Sequence, residues 1–110
     1  MAELKLLEVW PDEGVRGDVD RFSPTFFKFS SSIDVNTAIV IVNPPHAAKK
    51  YVYGHSPDIM VVEPVDVPWT PGITYTITIL KGLKGMDGSE LKGDIVYRFV
   101  NNPPEYIDFE

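Results

Sequence analysis

The chain has 110 residues, enough for one folding unit and too few for two. With 44% hydrophobic and 24% charged residues its composition is that of a globular domain, which excludes a disordered, collagenous or extended coiled-coil chain. Ten basic against 16 acidic side chains leave a net charge of −6, so the molecular field opposes nucleic acid and anionic lipid as partners. No cysteine is present, which removes disulfides, thiolate nucleophiles and thiolate metal sites from consideration.

Ten prolines spread from Pro11 to Pro104 leave little room for long helices and point to short strands. The first ten residues lack the basic start and long apolar stretch of a secretion signal. Leu4 to Trp10 is the first strand candidate. Asp12, Glu13, Asp18 and Asp20 follow in a loop interleaved with Arg16 and Arg21. Their spacing fits no calcium-loop motif, so this reads as a solvated acidic turn.

Thr25 to Ser30 alternates Thr25, Phe27 and Phe29 against Phe26, Lys28 and Ser30, the period of a half-buried strand. Asp34 is placed to cap a single turn over Val35-Asn36-Thr37. Ala38 to Val42 and Ile59 to Val62 are continuous apolar runs rich in β-branched residues, and Pro44-Pro45 and Pro64 close them, which favours strand over helix. Lys50 to Tyr53 lies between them as a weaker strand.

The clearest alternation runs from Ile73 to Leu80, with Ile73, Tyr75, Ile77 and Ile79 on one side and Thr74, Thr76 and Thr78 on the other. Asp94 to Val100 repeats it, with Ile95, Tyr97 and Phe99 opposed to Val96, Arg98 and Val100. Seven short strands divided by Pro, Gly, Asp and Asn turns predict an all-β antiparallel sandwich over residues 1–100. Residues 101–110 open with Asn-Asn-Pro-Pro and end acidic, reading as an arm or linker. Its Tyr106, Ile107 and Phe109 are apolar enough to dock on the chain's own sandwich or on a neighbour.

The run Trp69-Thr70-Pro71-Gly72-Ile73-Thr74-Tyr75 followed by alternating residues resembles the corner and sixth strand of immunoglobulin-like and fibronectin-like sandwiches. In such a corner the Tyr hydroxyl turns back to an upstream backbone group and fixes the crossover between the sheets. Phe29-Ser30-Ser31-Ser32-Ile33-Asp34, Met60-Val61-Val62-Glu63-Pro64 and the loop from Gly82 to Leu91 are similar, in the same order, to segments of bacterial immunoglobulin-like (Ig-like) domains of S-layer and multidomain surface proteins. Gly85 and Ser89 depart from the Asp and Asn of the family's loop, and the segment from Val42 to His55 has no counterpart. The resemblance implies an Ig-like sandwich serving as spacer, stalk or adhesive unit, with protein subunits or neighbouring domains as partners. Domains of this kind also decorate tailed-phage virions, so the expected setting is a virion or a cell surface.

Catalysis requires acid, base or nucleophile groups converging in a cleft, and no nucleophile elbow, phosphate-cradling loop or His-Glu-x-x-His motif occurs in the sequence. The expectation is a protein that is not an enzyme and uses no cofactor or metal. His46, His55 and Asp58 are the set to weigh for zinc, and they lack the tighter spacing of a zinc site. Asp87-Gly88-Ser89-Glu90 reads as a turn with Gly88 at positive φ. The alternative to protein docking is a glycan ligand, with Trp10, Tyr51 and Tyr53 stacking on sugar faces; Tyr51 and Tyr53 fall on one side of a strand. On the competing reading these tyrosines pack on cross-strand neighbours, while Trp69 and the phenylalanines fill the core.

Overall fold

The computed structural model describes residues 2–10, 24–70 and 72–100 in full and residues 14–15 by their backbone. Two four-stranded sheets face each other. One runs β2 (Leu6–Trp10), β4 (Thr25–Phe29), β8 (Ser56–Pro64), β7 (Ala48–Tyr53). The other runs β3 (Gly14–Val15), β12 (Ile95–Val100), β9 (Thr74–Ile79), β6 (Val40–Asn43). With β3 set aside, the strand order is the four-on-three order of an immunoglobulin constant-type sandwich. Within these two sheets all neighbours are antiparallel except β3 beside β12. A third set of two-residue strands, β1 (Glu3–Leu4), β11 (Glu90–Leu91), β10 (Lys84–Gly85) and β5 (Ile33–Asp34), gathers the chain at the end where β4 and β9 finish.

The alternation read from sequence sets which residues meet between the sheets. Phe27, Phe29, Met60 and Val62 from one sheet meet Tyr75, Ile77, Ile79, Tyr97 and Phe99 from the other, and all are buried. The Phe27 and Tyr97 rings meet edge-on across the interior at 5.7 Å. Leu4, Ile33, Leu83 and Leu91 fill the end under the small strands. Alternation on β9 starts at Thr74: Ile73 precedes the strand and is exposed, a correction to its expected place beside Tyr75.

The expected corner is formed. Thr70 N–H donates to the Tyr75 hydroxyl at 2.9 Å, Trp69 is fully buried, and Gly72 takes φ 82° where a side chain would be strained. The Trp69 ring lies 5.0 Å from Tyr75 and 5.2 Å from Phe99, so the corner and the sheet share one aromatic cluster. Asp34 caps the 3-10 turn Val35–Thr37 by accepting from Asn36 N–H at 3.2 Å.

The end of β10 and the loop to β11 leave no room for a side chain at Gly85. A Cβ on Gly85 would lie 2.2 Å from Ser89 Oγ and 2.8 Å from an Asp87 carboxylate oxygen. That space is occupied by the buried Ser89 hydroxyl donating to Asp87 Oδ1, which also accepts from Ser89 N–H at 3.0 Å. These bonds hold the Asp87 carboxyl below its ordinary range, the hydroxyl contributing most. Gly88 stands at φ 89°, as the turn required.

Candidate binding face

A sheet packed on one side ordinarily turns polar residues outward. The outer face of β2-β4-β8-β7 does not. Cross-strand register places Trp10 opposite Phe26, Phe26 opposite Val61, and Val61 opposite Tyr51, a row running across all four strands. Val61 has no accessible surface yet lies outside the interior cluster, in register between Phe26 and Tyr51. A second row of Glu8, Lys28 and Ile59 runs alongside.

Trp10, 54% exposed, tilts against Phe26 at 5.6 Å, and Tyr53, 48% exposed, meets Phe26 edge-on at 5.8 Å. Glu8, Trp10, Phe26, Lys28, Tyr53 and Ile59 line a groove of about 370 Å³ on this face. Tyr51, 38% exposed, donates its hydroxyl to Glu63. That bond, then desolvation and the negative charge of Glu63, push its phenol up to about 12. Lys49 Nζ approaches the same ring to 5.6 Å and Glu63 to 3.8 Å, so one rim of the patch is an ordered polar network.

The three aromatic residues singled out from sequence therefore share one face, and the structure adds Phe26 at its centre. Assigning Phe26 to the core with the other phenylalanines is corrected: the alternation of β4 turns Phe27 and Phe29 inward and Phe26 outward. The signal was present in that alternation, since an aromatic residue at an outward position is what marks a patch. Tyr106, Ile107 and Phe109, and the acidic residues between Asp12 and Asp20, lie outside the described residues.

The histidines are kept apart. His46 sits between β6 and β7, its ring 4.8 Å from Trp69 and its Nε2 3.0 Å from the Pro68 carbonyl oxygen. His55 is exposed in the turn between β7 and β8, at the far end of β7. Among the described residues no three His, Cys, Asp or Glu side chains gather as a metal-binding group.

Solved structures show the same fold. CopC from Methylosinus trichosporium OB3b superposes with a TM-score of 0.66 at 10% identity, over 96% of this chain and 100% of that one. The N-terminal part of the bacterial S-layer protein SbsC gives a TM-score of 0.57 at 17% identity over 91% of this chain, which spans 24% of that structure. Domains 1–6 of the same surface layer protein give 0.58 at 18% identity over 94% of this chain and 14% of that structure. No protein-family model and no curated protein matches the sequence. At these identities the likeness is one of fold: the chain is an all-β sandwich of the shape found in CopC and in domains of a bacterial surface layer protein.

Proposed function

We propose that this chain is a non-catalytic interaction module, an Ig-like sandwich that docks on other protein subunits of a larger ordered assembly through the outer face of β2-β4-β8-β7. The row Trp10–Phe26–Val61–Tyr51, extended by Tyr53, carries the reading. Exposed Trp10, Tyr51 and Tyr53 around the half-buried Phe26, with a polar rim of Glu8, Lys28, Glu63 and Lys49, form the composition of an interface centre, where aromatic side chains supply most of the binding energy. The surface-layer domains that share the fold support a setting in a cell-surface array, and a virion shell would make the same demand for repeated weak contacts.

A second reading is favoured by one observation: Trp10 and Tyr53 stand exposed on either side of Phe26 with Glu8 and Lys28 beside the groove, a platform on which a sugar ring could stack and hydrogen-bond. Affinity electrophoresis through immobilised cell-wall polysaccharide separates the two. Retardation of the native chain that is lost in Trp10→Ala and Tyr53→Ala establishes the glycan ligand. Free migration, together with loss of incorporation into the assembly in the same variants, establishes protein docking; variants that change neither overturn the role of this face.

A further inference from the structure

The two sheets leave a second feature where their edge strands β6 and β7 lie side by side. Val40, Val42, His46, Ala48, Lys50 and Val62 line a cleft of about 350 Å³ there. The two edges differ. β7 carries Lys49 and Lys50 and a register shift between Val52 and Tyr53, devices that discourage pairing with another chain. From Ala38 to Asn43 there is no charge at all, and Ile39 and Ile41 are 56% and 47% exposed. Leu80 N–H donates to the Ile39 carbonyl at 3.0 Å, so Ile39 and Leu80 form a hydrogen-bonded pair, and the antiparallel register makes Ile41–Thr78 and Asn43–Thr76 the next ones. The N–H and C=O groups of Val40 and Val42 therefore point away from the sheet, toward the open side. Lys50 falls on the cleft side of β7 and has no carboxylate partner among the described residues.

An occupant that satisfies this edge is an extended segment with apolar side chains at every second position and a carboxylate in step with them. The sequence contains one: Glu105, Ile107 and Phe109 alternate with Tyr106 and Asp108. We propose that the arm of a second copy of this chain adds to β6 as an antiparallel strand, with Glu105 opposite Val42, Ile107 opposite Val40 and Phe109 opposite Ala38. In this register Val40 and Val42 exchange both backbone hydrogen bonds with the arm. Residues directly opposite share a face, so Ile107 enters the cleft beside Val40, and Glu105 lies on the cleft side toward Lys50. Tyr106 and Asp108 fall on the outer side with Ile39 and Ile41.

The donor is a second copy because of the route. The arm leaves β12, which is two strands from β6, and would have to cross about 14 Å and reverse direction within residues 101–104 to reach its own edge. Pro103 and Pro104 favour extended chain over such a reversal. This interaction uses a different surface from the aromatic face and stands or falls separately from it.

The test is sedimentation of the full chain over a wide concentration range, with amide exchange at Val40 and Val42 read in parallel. Concentration-dependent association is expected, with those two amides protected only in the associated form. Ile107→Asp and Lys50→Glu should each weaken association about tenfold or more, and Lys50→Glu combined with Glu105→Lys should restore it. Trp10→Ala should leave it unchanged. A monomer at every concentration overturns the proposal, as does association indifferent to Ile107→Asp, or protection of Val40 and Val42 that does not depend on concentration, which would mean the arm covers its own edge. Association abolished by Trp10→Ala alone would also overturn it, while leaving the aromatic face as an interface.

Discussion

Replacing Tyr75 by Phe removes one atom from the corner that joins the sheets. The ring would keep its contacts with Trp69, His46 and Phe99 at 5.0, 5.6 and 5.6 Å, so almost all packing survives. What disappears is the acceptor for Thr70 N–H, held at 2.9 Å by a hydroxyl on a residue only 3% exposed. A hydrogen bond of this kind contributes about 0.5–1.5 kcal/mol, and a donor left part-buried without a partner moves the loss to the upper end, about 1–1.5 kcal/mol. With an unfolding entropy of about 2.1 cal/mol/K per residue, that loss lowers Tm by about 4–6 °C. Urea denaturation of the two proteins at neutral pH measures it directly as a shift in midpoint at constant slope. A Tyr75→Phe chain within roughly 0.3 kcal/mol of the native one would refute the argument, because the corner would then owe its geometry to ring packing alone.

Gly85→Ala should destabilise by about 1–3 kcal/mol in thermal melts, because the added methyl meets Ser89 Oγ and the Asp87 carboxylate, leaving the loop overpacked. Trp69→Ala should cost about 3–5 kcal/mol in the same melts, whereas Trp10→Ala should cost well under half of that, its ring being largely on the surface. The Asp87 carboxyl is depressed from its ordinary 3.8, so the order it gives the loop is complete above that pH and is lost as pH falls through the lower folded value. The Ser89 amide resonance should follow that acid titration, and Asp87→Asn should abolish it. Tyr51, raised from 10.0 to about 12, makes a contribution that is intact below pH 10 and disappears as the phenol ionises. Absorbance titration should show the Tyr51 phenol ionising late, and Glu63→Ala should lower its midpoint.

Periodicity reached the sandwich because burial on one face is what period-two alternation encodes, and β4, β9 and β12 each kept that pattern. The corner was legible too, since Trp69, Gly72 and Tyr75 each meet a separate physical demand at a fixed spacing. The two-residue strands β1, β3, β5, β10 and β11 were not, because so short a run has no period and forms only where distant chain supplies a partner. The candidate face fell between these cases. Trp10, Tyr51 and Tyr53 could be named as aromatic, but their meeting depends on the order β2-β4-β8-β7, which places β7 beside β8 and brings Phe26 between them. Val61 shows the limit most clearly. Within an apolar run its burial was expected, yet it is buried outside the interior cluster, on the row that joins Phe26 to Tyr51.

The split path of the first strand has a mechanical consequence. β2 belongs to one sheet, while Gly14 and Val15 of β3 run parallel to Phe99 and Val100 at the end of β12 in the other. Tension applied through the chain before β3 and the chain after β12 pulls two parallel neighbours lengthwise in opposite directions. Their hydrogen bonds are then strained together instead of unzipping one after another, so the domain should yield abruptly at a single force in single-molecule extension.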